Sequence, residues 1–191
     1  MARGLPVFKC LFCEHCCYFS EEYEMPVVYP WEKRRLEEIA SVLGAKLSFK
    51  PLQVYMDDEG NCAVALYRWV IRGFCPFFDR ATKRCRIHED KPLACKMYPI
   101  LLEMPSGNLL VSGKCDWVKK QGPQLMERLA ARPNDIPRVF PSEFEAAKKA
   151  FIEFLTIASF TKAHRLRPVN VNKLEDCKSV VDMDDYMARF E

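Results

Sequence analysis

The sequence predicts an α+β protein: a small, irregular, cysteine-rich metal-binding core with short β-hairpins, packed by helices and followed by a helical C-terminal third. Three observations lead there. Cys10, Cys13, Cys16 and Cys17 fall within eight residues as C-x2-C-x2-C-C, a thiol density that filling a core does not call for. The middle of the chain sets runs of period two between turns rich in Asp, Gly and Pro. The last third changes to the 3.6-residue period of an amphipathic helix. A chain of 191 residues suits one domain, or one with a helical appendage, and is long enough to bury a real core. Residues 1–120 are expected to form the cysteine-cluster domain. Residues 121–191 are expected to be a helical region packed on the same core.

After the first cysteines, Pro30 opens a segment with Leu36, Ile39, Ala40 and Leu43 at helical spacing, and Gly44 closes it. This predicts a helix with a proline start and a glycine stop. Val54–Met56, the turn Asp57-Asp58-Glu59-Gly60-Asn61, and Cys62–Ile71 read as a β-hairpin. Residues 73–99 are turn-rich and carry Cys75, Cys85 and Cys95. A second hairpin, Ile100–Met104 with Leu109–Ser112 around Pro105-Ser106-Gly107-Asn108, delivers Cys115 just beyond its end. Gln124–Ala131 is a short helix candidate. A longer helix opens at Ser142, with Glu145 completing a capping box. Its stripe of Phe144, Ala147, Phe151, Phe154, Leu155 and Ala158 reads as core rather than as a cofactor surface. The tail from Arg165 is polar and ends in one short helix.

The formal charge of +3, with acids and bases interspersed, gives no electrostatic case for nucleic acid or anionic lipid. Basic runs such as Lys33-Arg34-Arg35 and Lys148-Lys149 read as solvated helix faces. No apolar run reaches the length of a membrane span, and Met1–Lys9 has no apolar stretch typical of a secretory signal. The expected setting is therefore cytoplasmic, where thiols stay reduced and a cysteine framework reads as metal-binding before it reads as disulfides. A disulfide scaffold would need an oxidising compartment that nothing here signals.

The expected metal ligands are Cys10, Cys13, Cys16, Cys17, Cys75, Cys85, Cys95 and Cys115, with Cys62 and Cys177 left over as structural or surface thiols. The spacing of Cys10, Cys13 and Cys16 would let a ferredoxin-like loop wrap three corners of a 4Fe-4S cluster. Two of the same residues would serve equally as one arm of a zinc site. Adjacent side chains in extended backbone point to opposite faces, so Cys16 and Cys17 more naturally serve two centres, or two metals of one polynuclear site. Eight thiols would complete two four-cysteine sites.

The second group runs Cys75-Pro76-Phe77-Phe78, Cys85-Arg86-Ile87-His88, Lys91-Pro92 and Cys95-Lys96-Met97-Tyr98-Pro99. With Phe8–Cys17 before it and Cys115 after, this order resembles the CxxCxxCC cysteine-cluster family, the YkgJ-like zinc- or iron-chelating proteins. The resemblance spans the first two-thirds of the chain and implies metal binding. It extends to the flagellin lysine methylases, which implies, as an alternative, an iron–sulfur- or zinc-dependent enzyme of protein lysine methylation. Glu14 stands where that family usually has Gly, His88 where Tyr is usual, and Lys91 and Lys96 where it has Arg. A lysine cannot make the two-pronged contact of an arginine. A substrate or cofactor handled beside the metal would meet Lys91, Lys96, Tyr98 or Glu14. His88, in C-x2-H spacing after Cys85, and His15 read as surface or supporting residues rather than ligands. His164 follows the long helix and reads as a helix C-terminal charge.

No glycine-rich cofactor loop and no C-x3-C-x2-C triplet is present, so catalysis rests on analogy alone. A metal-binding protein holding an iron–sulfur cluster or zinc, with a redox role, accounts for the ordered cysteines. A zinc-stabilised module for a protein partner is the remaining alternative.

Overall fold

A computed structural model describes residues 4–190. In chain order, the first elements are β1 (Tyr18–Phe19), β2 (Val27–Val28), α1 (Pro30–Leu43), β3 (Phe49–Met56) and β4 (Asn61–Trp69). The turn-rich middle holds β5 (Gly73–Phe74), β6 (Phe78–Asp79), β7 (Arg84–Cys85), α2 (Leu93–Lys96), β8 (Ile100–Leu102) and β9 (Leu109–Val111). Then come α3 (Asp116–Gln121), α4 (Pro123–Ala131), α5 (Ile136–Val139) and α6 (Pro141–Ala163). The chain closes with β10 (Arg167–Val169), β11 (Ser179–Asp182) and α7 (Met183–Met187). The mixed class and both predicted hairpins are present. The chain forms two compact units, each built from separated stretches: residues 1–20 with 72–151, and residues 21–71 with 152–191.

The second of these units is a five-stranded sheet of order β10-β3-β4-β11, with β2 also paired to β4. The β3–β4 hairpin pairs Val54 with Val64 and Met56 with Cys62, and both valines are buried. α1 follows its sequence signals. Pro30 occupies its first turn, and Gly44 ends it in the left-handed conformation at φ 66° with its N–H on Ala40. Leu36 and Ala40 are buried on its inner face. Buried Glu32 accepts the Tyr29 backbone N–H at 3.0 Å, satisfying one of the helix's free donors.

Two strands of the tail carry no strong local signal. β10 runs antiparallel to β3 and includes Pro168, which lacks a donor and suits an edge strand. β11 runs parallel to β4, pairing Val180 with Cys62. Cys62 and Cys177, expected as leftover thiols, are joined in a disulfide across a separation of 115 residues. Near α7, Arg34 lies among Asp182, Asp184 and Asp185, so one guanidinium offsets part of their charge.

Asp57 organises the β3–β4 turn. Its Oδ1 accepts the N–H groups of Glu59 at 2.9 Å and Asn61 at 2.8 Å; its Oδ2 accepts the Asn61 amide and the Tyr186 hydroxyl. Partial burial works to raise its pKa, but these bonds favour the anion and hold it below the ordinary range. A depressed folded-state pKa stabilises above the unfolded value and loses that contribution as pH falls through the folded one. Asp57→Asn is therefore expected to lower stability at pH 7 by about 1 kcal/mol. The deficit should shrink below about pH 4. Urea unfolding of both proteins at pH 7 and pH 3 checks this.

The first unit packs around Ile100, Trp117, Val118, Leu125, Leu129, Ile136, Val139, Phe140 and Ala147. The stripe predicted for α6 is only partly its buried face: Ala146, Ala147, Ala150 and Ile157 are buried, whereas Leu155 is exposed. Small residues let this face lie close to its neighbours, and the larger rings flank it. One of them, Phe151, closes on Gly107 in the β8–β9 turn. A Cβ there would meet its Cζ at 2.7 Å, and φ is +75°, so only glycine fits.

Candidate metal centre

The loop bearing the first four cysteines has almost no regular structure, and three ties hold it in the first unit. Phe8 donates its N–H to Val139 at 2.7 Å. Its ring packs edge-on against Trp117 at 5.2 Å and tilted against Phe140 at 5.4 Å. The two-residue ladder of β1 with β5 pairs Tyr18 with Phe74, and Cys75 then donates its N–H to the Cys17 carbonyl at 2.7 Å. His15, read as a surface histidine, sits 3.1 Å from Asp116 in the first turn of α3. Two of the ties bring part of the loop toward a later cysteine: β1 toward Cys75, and His15 toward Cys115, the residue that precedes α3.

The remaining thiols are placed by equally short elements. Cys85 stands opposite Phe78 in the β6–β7 ladder, Cys95 lies in the single turn of α2, and Cys115 follows the β8–β9 hairpin as predicted. All eight expected ligands are free thiols. The sulfurs of Cys16 and Cys17 are 3.8 Å apart. The thiols of Cys16, Cys75, Cys85 and Cys95 are linked electrostatically: Cys85 and Cys16 oppose ionisation of Cys75, Cys16 that of Cys85, and all three that of Cys95. Cys17 feels Cys16, Cys75 and Cys95. Cys115 feels Cys13 and Cys10, so these three make a second set. Tyr98 is influenced by members of both, Cys115, Cys16 and Cys13.

Four thiols share a local backbone device that the sequence does not reveal. Cys10 receives the N–H of Phe12 at 3.4 Å. Ionisation of Cys75 is favoured by the N–H groups of Phe77 and Phe78, the latter also bonded to the Cys75 carbonyl at 2.9 Å, that of Cys85 by Ile87, and that of Cys115 by Trp117 and Val118. In each case the donor lies two or three residues on, so a tight turn aims backbone N–H dipoles at the sulfur and favours its anion. Phe12 takes a positive φ of 54° to do this. Glu14, at the family's usual glycine position, is not among the positive-φ residues, so the left-handed residue of this loop lies two positions earlier.

Burial opposes ionisation. It pushes Cys75 up to about 12, Cys95 well above the ordinary thiol value, and Cys85 and Cys115 upward, against the N–H donors. Cys16 is the exception. Its bond with Cys17 lowers it to about 7 against burial, with Lys91 helping, while the Cys17 partner is raised. Lys91 also acts on Cys85 and Cys95. One ammonium cannot balance four thiolates in a desolvated site. A multiply charged metal can, because it deprotonates its thiols outright. The donor set thus fits a soft metal: thiols only, on rigid turns, with N–H groups aimed at the sulfurs.

Of the other expected site residues, Tyr98 is half-buried and donates to Ser112 Oγ at 3.4 Å, and burial raises its pKa. Lys96 ends α2 next to Cys95, and none of the leading influences on the thiols comes from it. His88 is exposed, and slight burial together with Lys91 lowers its pKa. Glu143, in the first turn of α6, was not expected here. It is half-buried, which raises its pKa, and Lys91 works in the opposite sense. Its helix is legible in the sequence; its approach to Lys91, 52 positions earlier, is not.

A family model described as "CxxCxxCC: Putative zinc- or iron-chelating domain" matches residues 9–121, more than half of the chain. An uncharacterised protein of Methanocaldococcus jannaschii is 28% identical over 106 residues, 55% of this chain and 51% of that protein. The match therefore spans about half the length of this relative. No solved structure gives a significant match.

Proposed function

Because the chain belongs to the CxxCxxCC family of zinc- or iron-chelating domains, we propose that it is a metal-binding protein whose thiolates hold an iron–sulfur cluster. Cys16, Cys75, Cys85 and Cys95 would form one ligand set with Cys17 beside it, and Cys10, Cys13 and Cys115 a second. The observation that supports this reading is that all eight cysteines are free thiols, four of which, Cys10, Cys75, Cys85 and Cys115, stand on turns whose backbone N–H groups favour the sulfur anion. Bound there, such a cluster supplies one-electron redox chemistry. The chain's own part is to fix the thiols, donate hydrogen bonds to them and keep water away.

The choice of iron–sulfur over zinc rests on spacing. A tetrahedral zinc site with Zn–S of about 2.3 Å sets its sulfurs about 3.8 Å apart. Cys16 and Cys17 meet that value. Among the described residues, however, the three-donor groups drawn within 4.8 Å comprise only Asp182, Asp184 and Asp185. The thiols as a set stand wider, which suits the corners of a polynuclear cluster.

Among the described residues, no helix is long and apolar enough to cross a membrane. A reducing, cytoplasmic setting is proposed because it keeps the eight thiols available. Of the Cys62–Cys177 disulfide, Cys62 is fully buried and Cys177 half-buried.

Anaerobic purification followed by iron, zinc and acid-labile sulfide assays tests the proposal. A brown protein with iron and sulfide in similar amounts is expected. A colourless protein carrying stoichiometric zinc and no sulfide would replace the cluster with a zinc centre.

A further inference from the structure

The overall charge of +3 conceals a strong segregation. The unit that holds the free thiols carries 17 basic and 10 acidic residues, a net +7; the other carries 12 and 16, a net −4. The composition argument against nucleic acid averaged over both. Most of the excess lies in one stretch of the basic unit, residues 72–151, with 15 basic and 9 acidic residues.

Within the basic unit, positive charge concentrates on the β6–β7 hairpin. Arg80, Lys83, Arg84 and Arg86 fall within seven residues and all are exposed. Asp79 fixes the turn by accepting the N–H groups of Ala81 at 2.9 Å and Thr82 at 3.2 Å. Among the described residues, none of the four cations is in an ion pair, although Arg86 acts through space on Asp79. The guanidiniums lie over aromatic rings instead: Arg84 over Phe12 at 4.6 Å, and Arg80 over Phe74 at 4.9 Å. Tyr18 meets Phe74 edge-on at 5.0 Å, and Phe74 stacks on Phe78 at 5.5 Å. Tyr18 is 48% and Phe12 41% exposed. Two guanidinium–ring pairs, Arg84 with Phe12 and Arg80 with Phe74, and the exposed Tyr18 ring against Phe74 thus accompany the basic hairpin.

We propose that this face binds single-stranded nucleic acid. Phosphates would be met by the four unpaired cations, and bases would stack on Tyr18 and on the guanidinium planes backed by Phe12 and Phe74. An acidic protein surface would need the cations but would have no use for the planar array. A duplex, its bases already stacked, would have no use for the rings. The inference stands apart from the identity of the metal and requires only that the loop be in place.

The test uses the full chain with its metal as isolated, and fluorescein-labelled 12-mers of oligo(U), oligo(dT), a DNA duplex and polyglutamate, read by anisotropy across a salt series. Binding of either single strand is expected. Its log–log salt slope should be about −2 to −3, the value for three to four neutralised phosphates. The double variant Arg80→Ala/Lys83→Ala, at the hairpin tip, should make that slope shallower by about 1.4. Tyr18→Leu should weaken binding about fivefold or more at unchanged slope and unchanged metal content. Lys148→Ala/Lys149→Ala, on α6, should change neither. The proposal is overturned if polyglutamate binds as tightly as the single strands, which would indicate an acidic protein partner. It is equally overturned if the duplex binds more tightly, if neither single strand binds, or if the α6 variant weakens binding as much as the hairpin one.

Discussion

Cys95→Ser is expected to lose roughly half or more of the bound metal and to unfold about 10 °C or more below the parent protein. Cys95 is acted on by Cys75, Cys16 and Cys85, and itself acts on Cys17, so its sulfur belongs to the most connected thiol set. Those residues come from the N-terminal loop, the β5–β6 turn, β7 and α2, elements of two to four residues with little hydrogen bonding of their own. Such pieces gain little from local structure, so a shared ion is what makes their convergence favourable. Serine keeps the volume but is a poor ligand for a soft metal. Cys115→Ser should also lose metal, while leaving the set around Cys95 occupied. Metal analysis and thermal unfolding of both variants check this pair. Full metal content in Cys95→Ser would remove that residue from the ligand set.

Removing the Cys62–Cys177 bridge should act on stability and leave metal content alone. The double variant Cys62→Ala/Cys177→Ala is expected to be about 3–5 kcal/mol less stable. For a chain of this size that corresponds to a melting temperature about 6–20 °C lower. The bridge closes a loop of 115 residues, near the upper end of the entropic benefit. It also lies at a packed point. Cys62 is fully buried between Val54 and Val64, with Val169, Val171 and Leu174 against them. Just past Cys177, Lys178 donates to the Gly60 carbonyl at 2.8 Å and β11 begins its parallel ladder with β4. Losing the cross-link should therefore loosen β11 first, and amide exchange at Val180 and Val181 should rise above that of β3. Reductant should lower the melting temperature of the parent protein toward that of the variant and leave the variant unchanged.

What could be read from the sequence was what is specified locally. Pro30 and Gly44 bound α1 because each fixes a backbone dihedral by itself. The β3–β4 hairpin was legible because Asp57 and Gly60 carry turn chemistry between apolar runs. What could not be read depends on partners far along the chain. β10 contains a proline and β11 is four residues long, so neither shows a strand pattern until its neighbour is known. The Cys62–Cys177 pairing is of the same kind, because two thiols 115 positions apart carry no mutual signature.

The candidate site divides in the same way. The order of the eight cysteines was visible, and so was the need for the middle of the chain to return to the N-terminal loop. Which thiols neighbour which was not. Cys16, in the ferredoxin-like triplet by spacing, sits close to Cys75, Cys85 and Cys95, while Cys13 and Cys10 influence Cys115. The turns that aim N–H groups at Cys75, Cys85 and Cys115 depend on backbone geometry that many sequences can adopt.

The most direct test of thiolate coordination is X-ray absorption at the iron and zinc edges of protein purified without added metal. The account predicts a first shell of sulfur alone, with a second shell of metal neighbours at the iron edge. A first shell dominated by nitrogen or oxygen, at whichever edge the metal is found, would contradict it.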